Sequence, residues 1–508
     1  MTGLALALFT FVLHVTTSGR YGYFRDELYF IACAHHLAWG YVDQPPLVAL
    51  AAWLSGIFAY HLVALRILPA IAAAATVWVA CRIVRELGGG RFAERLAGIG
   101  VALMPAYLLL GNTLTTTSFE PLSWALVAWL TVRMIRTGER QLWLAIGLAV
   151  AFGLYGKYSM ALLVAALLIG LAVTRERRLL ATWWLPAGVV LALLLLAPNM
   201  LWQAQHEWPM LTVLHGDVLN RHAFNNGLEL EYRNVAGNAV AFLVEQALFT
   251  DPILVPLWLY GVGSLLFGRA LRPYRALAIA YIVLLALAVL LMAKGYYIIG
   301  IYGALVAAGA VALERAWTSR TALRTGALAT VVAVSLPLVP LSLPVLPIDR
   351  LISYSAALGL TGGNGTPPRL IQPLFAEEFG WEELAAQVAR VYRSLPPEVR
   401  AHTGLFADTY GDAGALAFYG PRYGLPPVIS GQNTFYLWGT NSYSGQTMIA
   451  VGAMQVEILK SAFEDVRLVA TYGNSYKWVV EGPAPIYLCT HPRAPLSQLW
   501  PRFKWYGA

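Results

Sequence analysis

Tyr23-Phe24-Arg25-Asp26-Glu27-Leu28-Tyr29 follows directly on an apolar segment at 2–18, and Trp39-Gly40-Tyr41-Val42-Asp43-Gln44-Pro45-Pro46 comes soon after it. Arginine, aspartate and glutamate gathered at the edge of an apolar run are costly beside a lipid phase, so they mark a candidate functional site. The rest of the chain supplies that lipid phase. Of 508 residues 58% are hydrophobic and 12% charged, with mean hydropathy +0.60, against roughly 25% charged in a soluble globular protein. The sequence predicts an α-helical polytopic membrane protein. The net charge of +8 does not point to nucleic acid, because the basic residues sit in short clusters between apolar runs. Three scattered cysteines (Cys33, Cys81, Cys489) give neither a disulfide framework nor a thiolate metal site, and each reads as a buried free thiol.

A membrane span needs about 20 apolar residues. Eleven such segments are expected, near 2–18, 62–84, 96–112, 117–135, 141–156, 158–174, 182–202, 252–268, 276–293, 297–313 and 322–343. Their connections alternate in charge. Sixteen basic residues fall on one side, from Arg82 to Arg324, and six on the other: Arg20, Arg25, Lys157, Arg221, Arg233 and Lys294. The richer side is expected to be cytoplasmic. That leaves residues 19–61, 203–237 and 344–508 outside, and makes the first segment a retained span. Within the first outer loop, the apolar run 47–60 would be roughly 21 Å long as a helix, too short to cross. It is expected to lie along the interface after Pro45 and Pro46, with a second juxtamembrane helix from about Asp26 to Leu37.

Beyond the proline-rich stretch 337–347 the composition becomes that of a soluble domain. The expected division is a transmembrane domain over 1–346 and an extracytoplasmic α/β domain over 347–508. Glu382–Arg393 has helical amphipathic spacing, and apolar runs at 403–407, 447–451, 466–470 and 485–489 read as strands with a helix at about 453–464.

There is no P-loop, G-x-G-x-x-G, H-E-x-x-H or D-x-D pattern. Polar residues concentrate instead in the loops assigned to the outer face. They are Asp26, Glu27, Asp43 and Gln44; Thr115–Glu120; Lys157 and Tyr158; Glu229, Glu231, Tyr232 and Arg233; and Lys294, Tyr296 and Tyr297. Cations and carboxylates together at a lipid–water boundary suit a lipid phosphate, held by lysine or arginine, with a carboxylate free to act on a hydroxyl. Plainer readings exist for each: Arg25–Asp26 as a surface ion pair, Lys157 and Lys294 as snorkelling side chains, Glu120 as a solvated turn residue. His206, His215 and His222 lack metal-ligand spacing.

Phe24-Arg25-Asp26-Glu27-Leu28-Tyr29 with Trp39-x-Tyr41-x-Asp43-Gln44-Pro45-Pro46-Leu47 resembles the first-loop signature of bacterial members of glycosyltransferase family 39. These are relatives of the protein O-mannosyltransferases and of the lipid A aminoarabinose transferase, with the GT-C fold. Ser118–Leu122, Gly156-Lys157-Tyr158, Lys294–Tyr297 and, in the C-terminal part, Asp408–Ala415 with Tyr419-Gly420 and Gly424–Pro427 look similar to further family segments. The resemblance implies an inverting transfer of a sugar from a polyprenyl-phosphate carrier to an acceptor hydroxyl of a lipid, glycan or protein, outside a bacterial cytoplasmic membrane. It makes Asp26 the general base, with Glu27 beside it, and Asp43 the second acid, where the aminoarabinose transferases have Glu. Their following Lys is here Gln44, so Lys157, Lys294 and Arg233, with Tyr296 and Tyr297, become the candidates to bind the donor phosphate. Arg25, Tyr29, Tyr41, Glu120, Tyr158, Asp408, Tyr410 and Asp412 are the implied substrate-contacting positions. No residue pattern demands a metal, although a divalent cation is compatible with such a site. A transporter or flippase for a lipid-linked sugar is the alternative of another class, and charges midway along the spans would favour it. A non-catalytic envelope scaffold is a third.

Overall fold

The computed structural model describes residues 2–219, 235–291, 293–360, 373–452, 456–476 and 483–507. Its contacts define two compact units, each assembled from separated stretches. The first comprises Met1–Gly19, Arg66–Leu201 and Arg221–Leu346, and the second Arg20–Leu65, Trp202–Asn220 and Pro347–Ala508.

The first unit is helical. Among the described residues five helices are long and apolar enough to cross a membrane, and seven if each of two bent pairs counts as one. The remaining expected segments are also helical, but Thr2–Thr17, Leu142–Gly156 and Met160–Ala172 are shorter than a full span and Glu120–Thr137 carries three charges. The segment expected at 96–112 breaks into Arg91–Leu103 and Pro105–Asn112 at an angle of 60°. Met104, the residue before Pro105, sits at φ −62°, ψ 120°, because the proline ring excludes the helical conformation from its predecessor. The second bent pair turns by 99° between Ala239–Thr250 and Pro252–Phe267, again at a residue preceding proline, Asp251. Its first arm, the helix Val235–Thr250, was not among the expected elements.

Gly295–Ala316 runs through the middle of this unit, with 83% of its apolar window buried, against 22% for Trp184–Gln205 and for Thr321–Ser342. Such close packing needs small residues. Gly309 lies against the carbonyl of Leu257 and Gly261 against that of Leu305, so a side-chain carbon at either would meet backbone. At the arginine-rich ends of the helices, carboxylates tie neighbours together. Glu94 takes Arg85 at 2.9 Å and the Gly3 N–H at 3.0 Å, and Glu314 accepts the N–H groups of Phe92 and Ala93 at the start of Arg91–Leu103.

The second unit holds a five-stranded sheet: β1 Thr403–Ala407, β2 Val428–Ile429, β3 Thr447–Val451, β4 Phe463–Tyr472 and β5 Ala484–Pro492, in the order β2-β1-β3-β5-β4. β1 is parallel to both β2 and β3, whereas β5 is antiparallel to β3 and β4. The four expected strands are all present, and only the two-residue β2 is new. The helices expected at 382–393 and 453–464 are Trp381–Ser394 and Val456–Ala462. The first-loop helices are also found, as Arg25–His35 and Leu47–Ser55 with a further turn Gly56–Phe58. Arg25–His35 packs against Tyr410–Tyr419 where Gly414 lets the backbones of Leu28 and Tyr29 approach.

Candidate active-site residues in each unit

In the second unit, β1 leads at its carboxyl end through Asp408 into the helix Tyr410–Tyr419, and β2 leads into Gln432-Asn433-Thr434. The chain departs from β1 to β2 on one side and returns to β3 on the other. The carboxyl ends of parallel strands at such a reversal form the usual binding crevice of an α/β sheet. Here they meet the first loop. The Tyr410 hydroxyl donates to Asp26 Oδ1 at 2.9 Å, and the Tyr410 N–H is fixed in turn by Gln432. Arg25 places its guanidinium 5.1 Å from the centre of the Tyr410 ring, 3.2 Å from Glu377 and 3.6 Å from Asp26. Asp26 keeps 28% of its side chain exposed despite these contacts.

Asp43 is held by the neighbouring strand end. Its Oδ1 accepts from the Tyr29 hydroxyl at 2.8 Å and its Oδ2 from Asn433 at 3.0 Å. The Tyr29 oxygen also lies 2.8 Å from the Thr434 hydroxyl, which accepts from the Val42 N–H. Loss of water pushes the Asp43 carboxyl up to about 7, against the pull of the Tyr29 hydrogen bond and with a smaller push from the Asp26 charge. Burial likewise raises the phenols of Tyr29 and Tyr410 well above their ordinary range.

The other first-loop residues face inward. Glu27 is fully buried and accepts from the Phe24 N–H at 2.8 Å, closing the first turn of its own helix. Gln44 is buried with its amide 3.6 Å from the Cys33 thiol, and the buried Tyr41 hydroxyl lies 3.2 Å from the Cys33 carbonyl. Asp408 and Asp412 are buried too. Asp412 pairs with Thr409 in the first turn of Tyr410–Tyr419. All three cysteines are free and buried.

In the first unit, Lys157 ends the helix Leu142–Gly156. Its ammonium sits 2.9 Å from the Thr117 hydroxyl and 3.8 Å from Glu120, over the rings of Tyr296 and Tyr297 at 4.4 and 4.8 Å. Glu120 also accepts from Ser159, and Tyr158 donates to Asn199 at 2.6 Å. Lys294 starts the 3-10 turn that carries both tyrosines. Thus Glu120, Lys157, Tyr296 and Tyr297, drawn from three separate turns, form one cluster. Arg233 lies outside the described residues. Among the described residues no three His, Cys, Asp or Glu side chains gather to hold a metal.

Two crystal structures of ArnT from Cupriavidus metallidurans share this architecture, one in the apo state and one bound to undecaprenyl phosphate. Their TM-scores are 0.58 and 0.60 at 16% identity, with 96% of this chain and 97% of each of theirs covered. The chain has the GT-C fold. The resemblance read from the first loop is borne out at that level. Residues 43–202 match the family model described as dolichyl-phosphate-mannose-protein mannosyltransferase, while no curated protein matches. Asp26, Asp43 and Lys157 stand out in the sequence as candidates, whereas Asn433, Thr434, Glu377 and Ser159, which contact the candidate residues Asp43, Tyr29, Arg25 and Glu120, do not. Nothing in a polar residue of a soluble-looking segment announces a partner some 400 positions away; Tyr29 and Thr434 are 405 apart.

Proposed function

We propose that this protein is an inverting glycosyltransferase that moves a sugar from a polyprenyl-phosphate carrier to an acceptor hydroxyl on the outer face of a bacterial cytoplasmic membrane. The observation that carries the reading is the contrast among the first-loop acids. Glu27 is used up in its helix and Asp43 is tied at both oxygens, whereas Asp26 is oriented by Tyr410 and still open. An open, oriented carboxylate is suited to accept a proton. The acceptor oxygen would attack the anomeric carbon and pass its proton to Asp26. The bond from that carbon to the phosphate oxygen breaks, leaving the phosphate on its polyprenyl chain. Lys157 and Lys294, with the Tyr296 and Tyr297 hydroxyls, would stabilise the charge growing on that phosphate. The undecaprenyl phosphate in one of the similar structures supports this class of carrier. The C-terminal domain, residues 347–508, would shape the acceptor side through Tyr410.

Asp26→Asn is expected to reduce transfer by at least 10²-fold, as for removal of a general base. Binding of polyprenyl phosphate by the purified variant should be preserved. Mass spectrometry of envelope lipids and glycans in a deletion strain complemented with each form reads the transfer. Near-normal product with Asp26→Asn overturns the assignment.

A further inference from the structure

The helix Val235–Thr250 is arranged inside out. Its apolar side chains Val240, Leu243, Val244 and Leu248, at spacings of three and four, are exposed, while Glu245 and Gln246 are buried. In water this pattern is unfavourable; beside lipid it is what a helix guarding a polar interior requires. The interior partner is Gly295, between Lys294 and Tyr296. Gln246 donates to the Gly295 carbonyl at 2.8 Å. The Glu245 carboxylate lies so close to the Gly295 α-carbon that a methyl group there would overlap it. The Gln246 Oε1 is buried and has no partner among the described residues, leaving an acceptor for a ligand hydroxyl.

We infer that Glu245 is a specificity-determining residue of the anion pocket built by Lys157, Lys294, Tyr296 and Tyr297. The inference rests on the reading of that pocket as the donor-phosphate site. Two lysines and one carboxylate, Glu120, would leave a net positive charge that favours a doubly charged phosphate monoester. A second carboxylate, Glu245, packed against the segment bearing Lys294 removes that excess. The pocket then suits the singly charged phosphodiester of a lipid-linked sugar and releases the monoester that transfer leaves behind. Glu245 acts through charge and through the placing of the Lys294–Tyr297 turn, and takes no proton in the reaction.

The test uses the full chain in lipid nanodiscs at pH 8, where a phosphate monoester is doubly charged because its second ionisation lies near 6. Affinities are measured for farnesyl phosphate and for its methyl ester, a monoester and a diester on the same chain. Glu245→Gln is expected to strengthen monoester binding roughly tenfold more than diester binding, the scale of one unit charge several ångströms away in a partly wet pocket. Glu245→Ser is read alongside it, with the same shift expected, so that one variant failing to fold leaves the other. Glu245→Asp, which keeps the charge, should keep the wild-type ratio. Both ligands changing equally, or neither, overturns the inference and leaves the glycosyltransferase reading intact. Wild-type protein that binds neither ligand removes that reading, and the inference with it.

Discussion

Asp43 is a carboxylate that the protein both satisfies and desolvates, and the balance falls on the side of the proton. Tyr29 and Asn433 each give it a hydrogen bond, yet burial raises its carboxyl to about 7. A raised carboxyl value means that, between about pH 4 and pH 7, the folded protein holds a proton that the unfolded chain has released. Stability from this group is therefore complete below about pH 4 and is lost as pH rises through 7. Discounted for the partial exposure of the side chain, the effect is of the order of 2 kcal/mol. The apparent Tm in detergent should fall between about pH 4 and pH 7, and Asp43→Asn should flatten that fall. Parallel curves for the two proteins would remove Asp43 as its source. Sequence pattern located this residue, since an Asp before Gln-Pro-Pro beside an apolar run stands out. It could not reveal that Asn433 and Thr434 hold it, because those contacts depend on how a distant sheet presents its strand ends.

Helices were legible wherever apolar length marked them, and illegible where proline or an inverted face intervened. Val235–Thr250 escaped notice because Glu245, Gln246, Thr250 and Asp251 interrupt its apolar run; only the structure shows that these four residues are buried. Leu47–Ser55 is the opposite case. Its shortness predicted a helix unable to cross, and the folded element exposes Leu50, Trp53 and Leu54, with Ile57 and Phe58 continuing the stripe. Val48, Ala49, Ala51 and Ala52 form the inward side. Exposed apolar residues at positions i, i+3, i+4, i+7 and i+8 are the face of a helix that lies in a lipid interface. In liposomes containing lipids brominated near the headgroup, Trp53 emission should be quenched, read as the difference between wild type and Trp53→Phe. An unquenched Trp53 would place this helix in water and overturn the interfacial assignment.

At the scale of the molecule, the distribution of arginine sets the expected orientation, because translocating a basic loop across the membrane is disfavoured. The structure adds a reason for those charges to stay where they are. Arg85 and Arg136 are paired with the buried Glu94 and Glu86, so the basic ends of these helices are knitted by ion pairs rather than merely flanked by charge. Apolar length and charge made the membrane class readable, and the motif residues of the first loop carried the GT-C resemblance. They carry no information on which stretches pack together, and the second unit draws its residues from three separated parts of the chain. Orientation can be measured directly, because Cys33, Cys81 and Cys489 are all buried and give little background to a thiol reagent. In spheroplasts, a membrane-impermeant maleimide should label Ser444→Cys, on an exposed turn after the helix Asn433–Trp438. It should leave Ser319→Cys, in the exposed turn between Tyr302–Ala316 and Thr321–Ser335, unlabelled until the membrane is permeabilised. The reverse pattern would turn the molecule over, placing Asp26 on the side where the basic loops were assigned. An outward-facing transfer from a lipid carrier would then be excluded, since the carboxylate proposed as its base would face the cytoplasm.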